Sequence, residues 1–303
     1  MDNYISVIIT AYNRKDFLLD ALKSALNQTL DKKYYEIIVI KNYNDEIIDK
    51  FIENNNIKSI NIDGYHGELL YAGIRESKGN IISFLDDDDL FFNNKLEYVY
   101  NLFKNNNNLV YYHNNYIPVN EKNENINFIN ENIDFNNSCM SIKKDIIDLN
   151  ELKKISALTD IFIYLSAIDY DGKIKLDKTK LTYYRVHSSA SNFTADNFDD
   201  YKNKKIRFLD VSLAELYKFK NIFNNKNVVK HITSYITDLK MDKFLWGFYN
   251  ERPSNIINFI IHMDRPLKNR TMKLLYYAIV RLKPHYFMRY AIEKRKNDFV
   301  RMI

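Results

Sequence analysis

Short apolar runs rich in β-branched residues alternate with helical periodicity from Ile5 to Leu85, and this alternation constrains the fold more than any other feature of the chain. The runs are Ile5–Thr10 (ISVIIT), Glu36–Ile40 (EIIVI), Ser59–Ile62 and Ile81–Leu85 (IISFL). Ile5–Thr10, Glu36–Ile40 and Ile81–Leu85 have the length and composition of buried strands, and Ser59–Ile62 reads as a further strand. Between them, Phe17, Leu18, Ala21, Leu22 and Ala25 recur at helical spacing within 16–26, with Asn13 or Asp16 as the expected cap. Further helices are expected over 46–52 and 68–77, the latter stopped by Gly79. Strands separated by helices form a parallel sheet with helices packed on its faces, and such sheets bind ligands at the carboxyl ends of their strands.

After Asn93 the pattern predicts a helix over 95–104, a loop at 105–108, interrupted strands over 109–117 and 127–142, and helices over 144–154 and 160–168. Lys180–His187 (KLTYYRVH) alternates as a strand does. Beyond Ala195 the periodicity becomes long and helical through to about Lys296, with a boundary near 189–196. The chain therefore reads as an α/β domain over 1–192, with halves 1–100 and 101–192, followed by a helical extension over 193–303.

Composition narrows the class. At 46% hydrophobic and 15% aromatic the chain can bury a core, and six glycines and four prolines exclude collagen-like or linker-rich architectures. A single cysteine, Cys139, excludes an internal disulfide framework and a cysteine-rich zinc site, and fits a reducing cytoplasm. The first residues lack the pattern of a secretory signal, and no apolar run approaches the roughly 18–20 residues that span a bilayer. A cytoplasmic protein is expected, free or peripheral at the inner face of the cell membrane. Of the net charge of +5, the last 53 residues contribute twelve Lys/Arg against four Asp/Glu, which leaves the first 250 residues at −3. A basic tail on a mildly acidic body suits an anionic partner such as lipid head groups, or is a solvated basic helix surface. No nucleic-acid partner is expected.

Two local features point to a site. Four of the six glycines (Gly64, Gly67, Gly73, Gly79) lie within sixteen residues, where the backbone must take positive φ or approach another segment closely. Immediately after the fourth strand come Asp86, Asp87, Asp88 and Asp89. Carboxylates so concentrated repel one another, and a cation relieves the repulsion. Oxygen ligands suit Mg²⁺ or Mn²⁺ rather than zinc, with substrate phosphates completing the shell. The alternative is an acidic turn capping the next helix.

At this point the sequence resembles the family 2 glycosyltransferases, whose fold is the nucleotide-diphospho-sugar transferase (GT-A) type. The likeness covers about 6–191. It rests on SVIITAYNR at 6–14, LxxALxSALxQT at 18–29, EIIVI at 36–40, KGNIISFLDDDD at 78–89, TDIF at 159–162 and YRVHSSAS at 184–191.

The resemblance implies a nucleotide-sugar half over 1–100 and an acceptor half over 101–192. It implies an inverting transfer from a nucleotide-diphospho-sugar to a glycan or lipid-linked acceptor. Thr10, Ala11 and Tyr12 match the base-binding edge, with Arg14 and Asn42 also on the nucleotide-sugar side. Asp86 and Asp88 match the DxD pair, with Asp86 near the ribose, Asp87 in the variable middle position and Asp88 on the metal. Asp89 is expected to cap the following helix. Asp160 matches the acid that serves inverting members as general base, and it also stands where an N-cap would. His187 matches a histidine that approaches the diphosphate or metal, and Arg185 is a candidate phosphate partner.

Three departures qualify that pattern. Thr159 replaces the glutamate of the ED motif. Lys41-Asn42 stands where the family has an aspartate facing the base, and Leu70 stands where it has an arginine. Uracil preference is therefore open, and a degenerate, non-catalytic glycan-binding or scaffold subunit is the alternative. A sugar-nucleotide pyrophosphorylase is disfavoured because Ser6–Arg14 contains no glycine for a phosphate loop. The basic, aromatic stretch Leu267–Arg289 could lie in a membrane interface, pack on the core, or meet a second copy in a homodimer.

Overall fold

The computed structural model describes residues 3–126, 136–187 and 197–245, together with Ile257, Ile261, Thr271, Leu274 and Leu275. The chain divides into two compact units, Met1–His187 and Ser188–Ile303.

The first unit is built on one eight-stranded sheet. Its strands are β1 (Ile5–Ala11), β2 (Tyr35–Lys41), β3 (Lys58–Asn61), β4 (Ile81–Asp86), β5 (Leu90–Phe91), β6 (Leu109–Val119), β7 (Met140–Lys143) and β8 (Lys173–Arg185), in the order β3-β2-β1-β4-β7-β6-β8-β5. The half formed by β3, β2, β1 and β4 is parallel throughout, as the alternation predicts. β7 then runs antiparallel to both β4 and β6, β6 and β8 are parallel, and β5 closes the edge antiparallel to β8. This is the fold class expected from the sequence, a mostly parallel sheet flanked by helices.

The helices are α1 (Leu18–Leu26), α2 (Glu46–Asn54), α3 (His66–Glu76), α4 (Lys95–Lys104), α5 (Leu149–Leu152) and α6 (Thr159–Asp169). α1 presses Leu18, Ala21, Leu22 and Ala25 onto one face of the sheet, against residues that include Ile5, Val7 and Ile9 of the fully buried β1. α3 covers the other face with Leu69, Leu70 and Ile74, and Gly73 lies against the Ile8 and Ile40 side chains. Each fully buried Ile or Leu contributes about 1.5–3 kcal/mol, so both faces of β1 fix the sheet firmly.

Several local expectations are corrected. Neither Asn13 nor Asp16 caps α1, whose N-cap is Phe17 without a side-chain bond. Asp45 does cap α2, accepting from Ile47 N and Ile48 N at 3.1 Å each. Gly79 is not a helix stop: α3 ends at Glu76. Gly79 is needed instead because a Cβ there would sit 2.6 Å from Ser6 N and 2.7 Å from Tyr4 O. Gly67 answers the same demand more severely. Its amide donates to Ile155 O at 3.0 Å, and an added Cβ would lie 2.5 Å from that oxygen and closer still to Leu152 O. The single helix expected over 144–154 is a 3₁₀ turn at Lys144–Ile146 followed by α5. The strand expected at 180–187 begins at Lys173.

The second unit contains α7 (Phe198–Ile222) and α8 (Lys226–Leu245). Asn197 caps α7 by accepting from Asp200 N at 2.9 Å. Leu209, Leu216 and Phe219 of α7 are buried, as are Val228, Ile232 and Ile236 of α8. Helices in the C-terminal extension are thus present, as expected. The 189–196 boundary and nearly all of Leu267–Arg289 lie outside the described residues. Among the described residues no helix is long and apolar enough to cross a membrane.

Candidate active site

Parallel register sets the site. Thr10 lies opposite Asp86 across β1 and β4, Ala11 opposite Lys41 across β1 and β2, and Lys41 opposite Asn61 across β2 and β3. Four carboxyl ends therefore finish on one edge, and every loop leaving that edge carries polar side chains.

The acidic run turns directly out of β4. Asp86, Asp88 and Asp89 each bring a carboxylate oxygen within 4.8 Å of the others. Asp89 is 1% exposed and its Oδ1 accepts Arg185 N at 2.9 Å. It is no helix cap, because α4 begins after Asn94. Its Oδ2 has no hydrogen-bond partner among the described residues. Burial, then repulsion from Asp88, pushes the Asp89 carboxyl up to about 7, and burial with its acidic neighbours raises Asp86 well above the carboxylate range. Asp87 is pushed by burial up to about 6 even though Arg14 opposes the shift. Asp88 moves the other way: burial would raise it, but the His187 hydrogen bond and the Arg14 charge hold it below its ordinary value.

Arg14 and His187 frame this run. Arg14 donates to Asp87 through Nε at 3.3 Å and Nη2 at 2.5 Å, and Nη2 also reaches Asp88 Oδ2. His187 Nε2 lies 3.1 Å from Asp88 Oδ2 and 3.3 Å from Arg14 Nη1. Phe17 packs on the His187 ring at 4.7 Å. Arg185 turns elsewhere, its Nη2 donating to Asp20 Oδ2 at 3.1 Å and Asn123 Oδ1 at 2.7 Å, so its side chain ties β8 to α1.

Beneath the acidic run sits a buried platform that the sequence did not disclose. Ser138 Oγ accepts Asp86 N at 3.0 Å. Ser138 O accepts Thr182 Oγ1 at 3.0 Å and the ammonium of Lys95, which also donates to Thr182 Oγ1 at 3.0 Å. Lys95 is fully buried, and burial lowers it to about 7.

Thr10 and Ala11 close β1, and Tyr12 follows directly. Thr10 and Ala11 are buried and Tyr12 is 47% exposed. Asn42 is spent on Asn13, accepting its amide and donating to its Oδ1 at 2.8 Å each. A carboxylate does face this edge, from the loop after β3. Asp63 Oδ1 lies 3.4 Å from Asn42 Nδ2 and accepts Gly64 N at 3.1 Å, and its hydrogen bond to the Tyr12 hydroxyl raises that phenol. Lys41 is only 3% exposed and turns away to Asp49 at 2.9 Å and Tyr43 O at 2.6 Å. Leu70 is part of the core.

Asp160 lies in the first turn of α6, its Oδ1 accepting Ile161 N at 2.8 Å. Its neighbour Thr159 explains the TD spelling. Thr159 Oγ1 lies 2.8 Å from His66 Nδ1, whose Nε2 lies 3.4 Å from Thr10 Oγ1. Desolvation lowers His66 to about 4, so the imidazole is neutral and bridges two hydroxyls. Through it the start of α6 is fastened to the end of β1. A histidine between Gly64 and Gly67 was the one signal for this bridge in the sequence.

The glycosyl transferase family 2 model matches residues 6–158. The chain belongs to glycosyl transferase family 2. A Rickettsia bellii protein described as an uncharacterized glycosyltransferase is 36% identical over 127 residues, covering 40% of this chain and 18% of that protein. The Escherichia coli protein WfaP, described as UDP-Glc:alpha-D-GlcNAc-diphosphoundecaprenol beta-1,3-glucosyltransferase, is 28% identical over 255 residues, covering 76% of this chain and 96% of that one. The chain matches about a fifth of the length of the Rickettsia relatives at 35–36% identity. Among solved structures, Staphylococcus aureus TarS 1–349 in complex with UDP-GlcNAc superposes with a TM-score of 0.58 at 16% identity, covering 97% of this chain and 92% of that one. The fold is therefore that of the GT-A members of family 2.

Proposed function

We propose that the chain is an inverting glycosyltransferase that moves one sugar from a nucleotide-diphospho-sugar to a glycan or lipid-linked acceptor. The observation that carries this reading is the meeting of Asp86, Asp88 and Asp89 within 4.8 Å at the carboxyl edge of the parallel strands, with His187 on Asp88. WfaP, by its printed name, acts on a diphosphoundecaprenol-linked sugar and makes a β linkage. The S. aureus protein TarP, 24% identical over 233 residues, is named as a poly(ribitol-phosphate) beta-N-acetylglucosaminyltransferase. A single displacement on an α-configured donor gives a β product.

The donor set fits a hard divalent ion. It offers oxygens and one imidazole, includes a buried Asp89 oxygen with no hydrogen-bond partner among the described residues, and holds no thiolate. Asp88, with Asp86 and His187, would hold Mn²⁺ or Mg²⁺, which when bound neutralises charge on the departing diphosphate. Arg14, fixed by Asp87 and Asp88, adds a permanent positive charge to the same place. Tyr12 offers its ring to the nucleobase, while Asp63 presents an acceptor to the base edge and Asn42 braces the Asn13 turn beside it. Asp160 takes the proton from the acceptor hydroxyl as the new C–O bond forms.

Nucleotide-sugar hydrolysis with Mn²⁺ tests the proposal. Asp88→Ala and Asp160→Asn are expected to lose activity by about 10²-fold or more while keeping the fold. Full activity in both overturns it, and failure to bind any nucleoside diphosphate supports the non-catalytic scaffold instead.

A further inference from the structure

α1, the β5 turn and β8 border an open cavity of about 720 Å³. Its volume is that of a small-molecule site, and its walls are held rigidly. Ser24 Oγ accepts Phe91 N at 3.1 Å, and Gln28 donates to Phe92 O at 2.9 Å and accepts Leu96 N at 2.9 Å. On the opposite rim the Arg185 guanidinium fixes Asp20 and Asn123 together.

The lining combines two kinds of surface. Phe92 and Tyr183 stand as a tilted aromatic pair with ring centroids 4.3 Å apart, and Phe51 adds a third ring. Around them are Asp20, Lys23, Asn27 and Asn93, of which the last three have side chains engaged with no partner among the described residues. The Asp20 carboxylate is already met by Arg185, which leaves Lys23 as a hydrogen-bond donor on the rim beside the two amides. Flat apolar faces beside two amides and an ammonium donor match a ring with C–H bonds on its faces and hydroxyls on its rim. We propose that this cavity is a second carbohydrate site, which takes one neutral pyranose residue of a glycan chain and is separate from the transfer site. No residue assigned above to donor, metal or proton transfer lines it, and the site does not depend on the transfer chemistry.

The test is saturation-transfer NMR on the full chain with two neutral probes, cellohexaose and chitohexaose, and with inorganic phosphate as the charged comparison. Transfer to at least one oligosaccharide is expected. Phe92→Ala and the doubly substituted Asn27→Ala/Asn93→Ala are each expected to weaken binding about tenfold, the effect of one lost stacking face or two lost hydrogen bonds. The amide variant alters only exposed side chains, so it stays informative should Phe92→Ala fold poorly. Nucleotide-sugar hydrolysis is expected to stay unchanged in both. Binding by neither oligosaccharide, binding equal in all variants, or preference for phosphate overturns the proposal. Hydrolysis that fails while cavity-dependent binding persists removes the transferase reading alone.

Discussion

His187 Nε2 stands 3.1 Å from Asp88 Oδ2 across 99 positions of sequence, held between Arg14 and the Phe17 ring. This contact spans the second half of the first unit and ties the proposed metal site to that unit's last residue. His187→Ala is expected to weaken Mn²⁺ affinity about 10–100-fold, the usual cost of losing such a partner. Isothermal titration with Mn²⁺ reads this directly, and unchanged affinity removes His187 from the metal site.

Arg14 holds two carboxylates at once. In Arg14→Met the largely buried Asp87 keeps its burial penalty and loses its counter-charge. A stability loss of roughly 2 kcal/mol is expected, discounted from a fully buried pair because the arginine is half-buried. Adding Asp87→Asn should restore most of it in urea denaturation.

The Thr10–His66–Thr159 bridge should matter to turnover more than to donor binding. Thr159→Val removes one hydroxyl and frees the start of α6, where Asp160 sits. The expected outcome is about 1 kcal/mol of lost stability, a reduced kcat and an unchanged donor KM. An equal fall in donor affinity would show that the bridge serves the nucleotide side instead.

Acid stability depends on opposing groups. His66 and His113 are lowered to about 4 by burial, so between pH 6.5 and 4 the unfolded chain binds more protons and stability falls as pH falls. Each histidine accounts for about 2–3 kcal/mol at the end of that window. Asp87 at about 6 and Asp89 at about 7 act in reverse, because their raised values let the folded chain bind protons first and gain stability as pH falls from 7. The His66→Asn/His113→Asn variant should therefore lose less stability than the native chain between pH 7 and 4.5. Urea midpoints at the two pH values decide, and parallel losses would contradict the assignment.

The same raised carboxylates make ion binding proton-linked. Asp86 must be ionised to serve as the ligand proposed above, and Asp89 beside it shares the same buried charge, so apparent Mn²⁺ affinity should fall as pH drops below about 7. Titration at pH 8, 7 and 6 in buffers of differing ionisation enthalpy would show proton release, and affinity flat over that range would exclude it.

The sheet half carrying the site was legible because apolar runs and helical spacing are local properties, and residues 5–11, 35–41 and 81–86 display them openly. The acidic run was legible for the same reason. Asp63 was not, because its importance arises from where β3 ends relative to Tyr12 and Asn42. Lys95 read as an ordinary first-turn lysine of α4, and only the fold shows that it is buried against Ser138 and Thr182. Asp89 read as a cap, since a sequence does not reveal that Arg185 N will claim its carboxylate from 96 residues away.

Gly67 carries no chemistry, yet its missing side chain lets the backbone of α3 rest on the carbonyls of the segment leading into α6. In a library of random substitutions it should prove as intolerant as any acid in the active centre. The failure would be mechanical: a single methyl there acts as a wedge, and the strut that carries Asp160 would swing away from its partner strands.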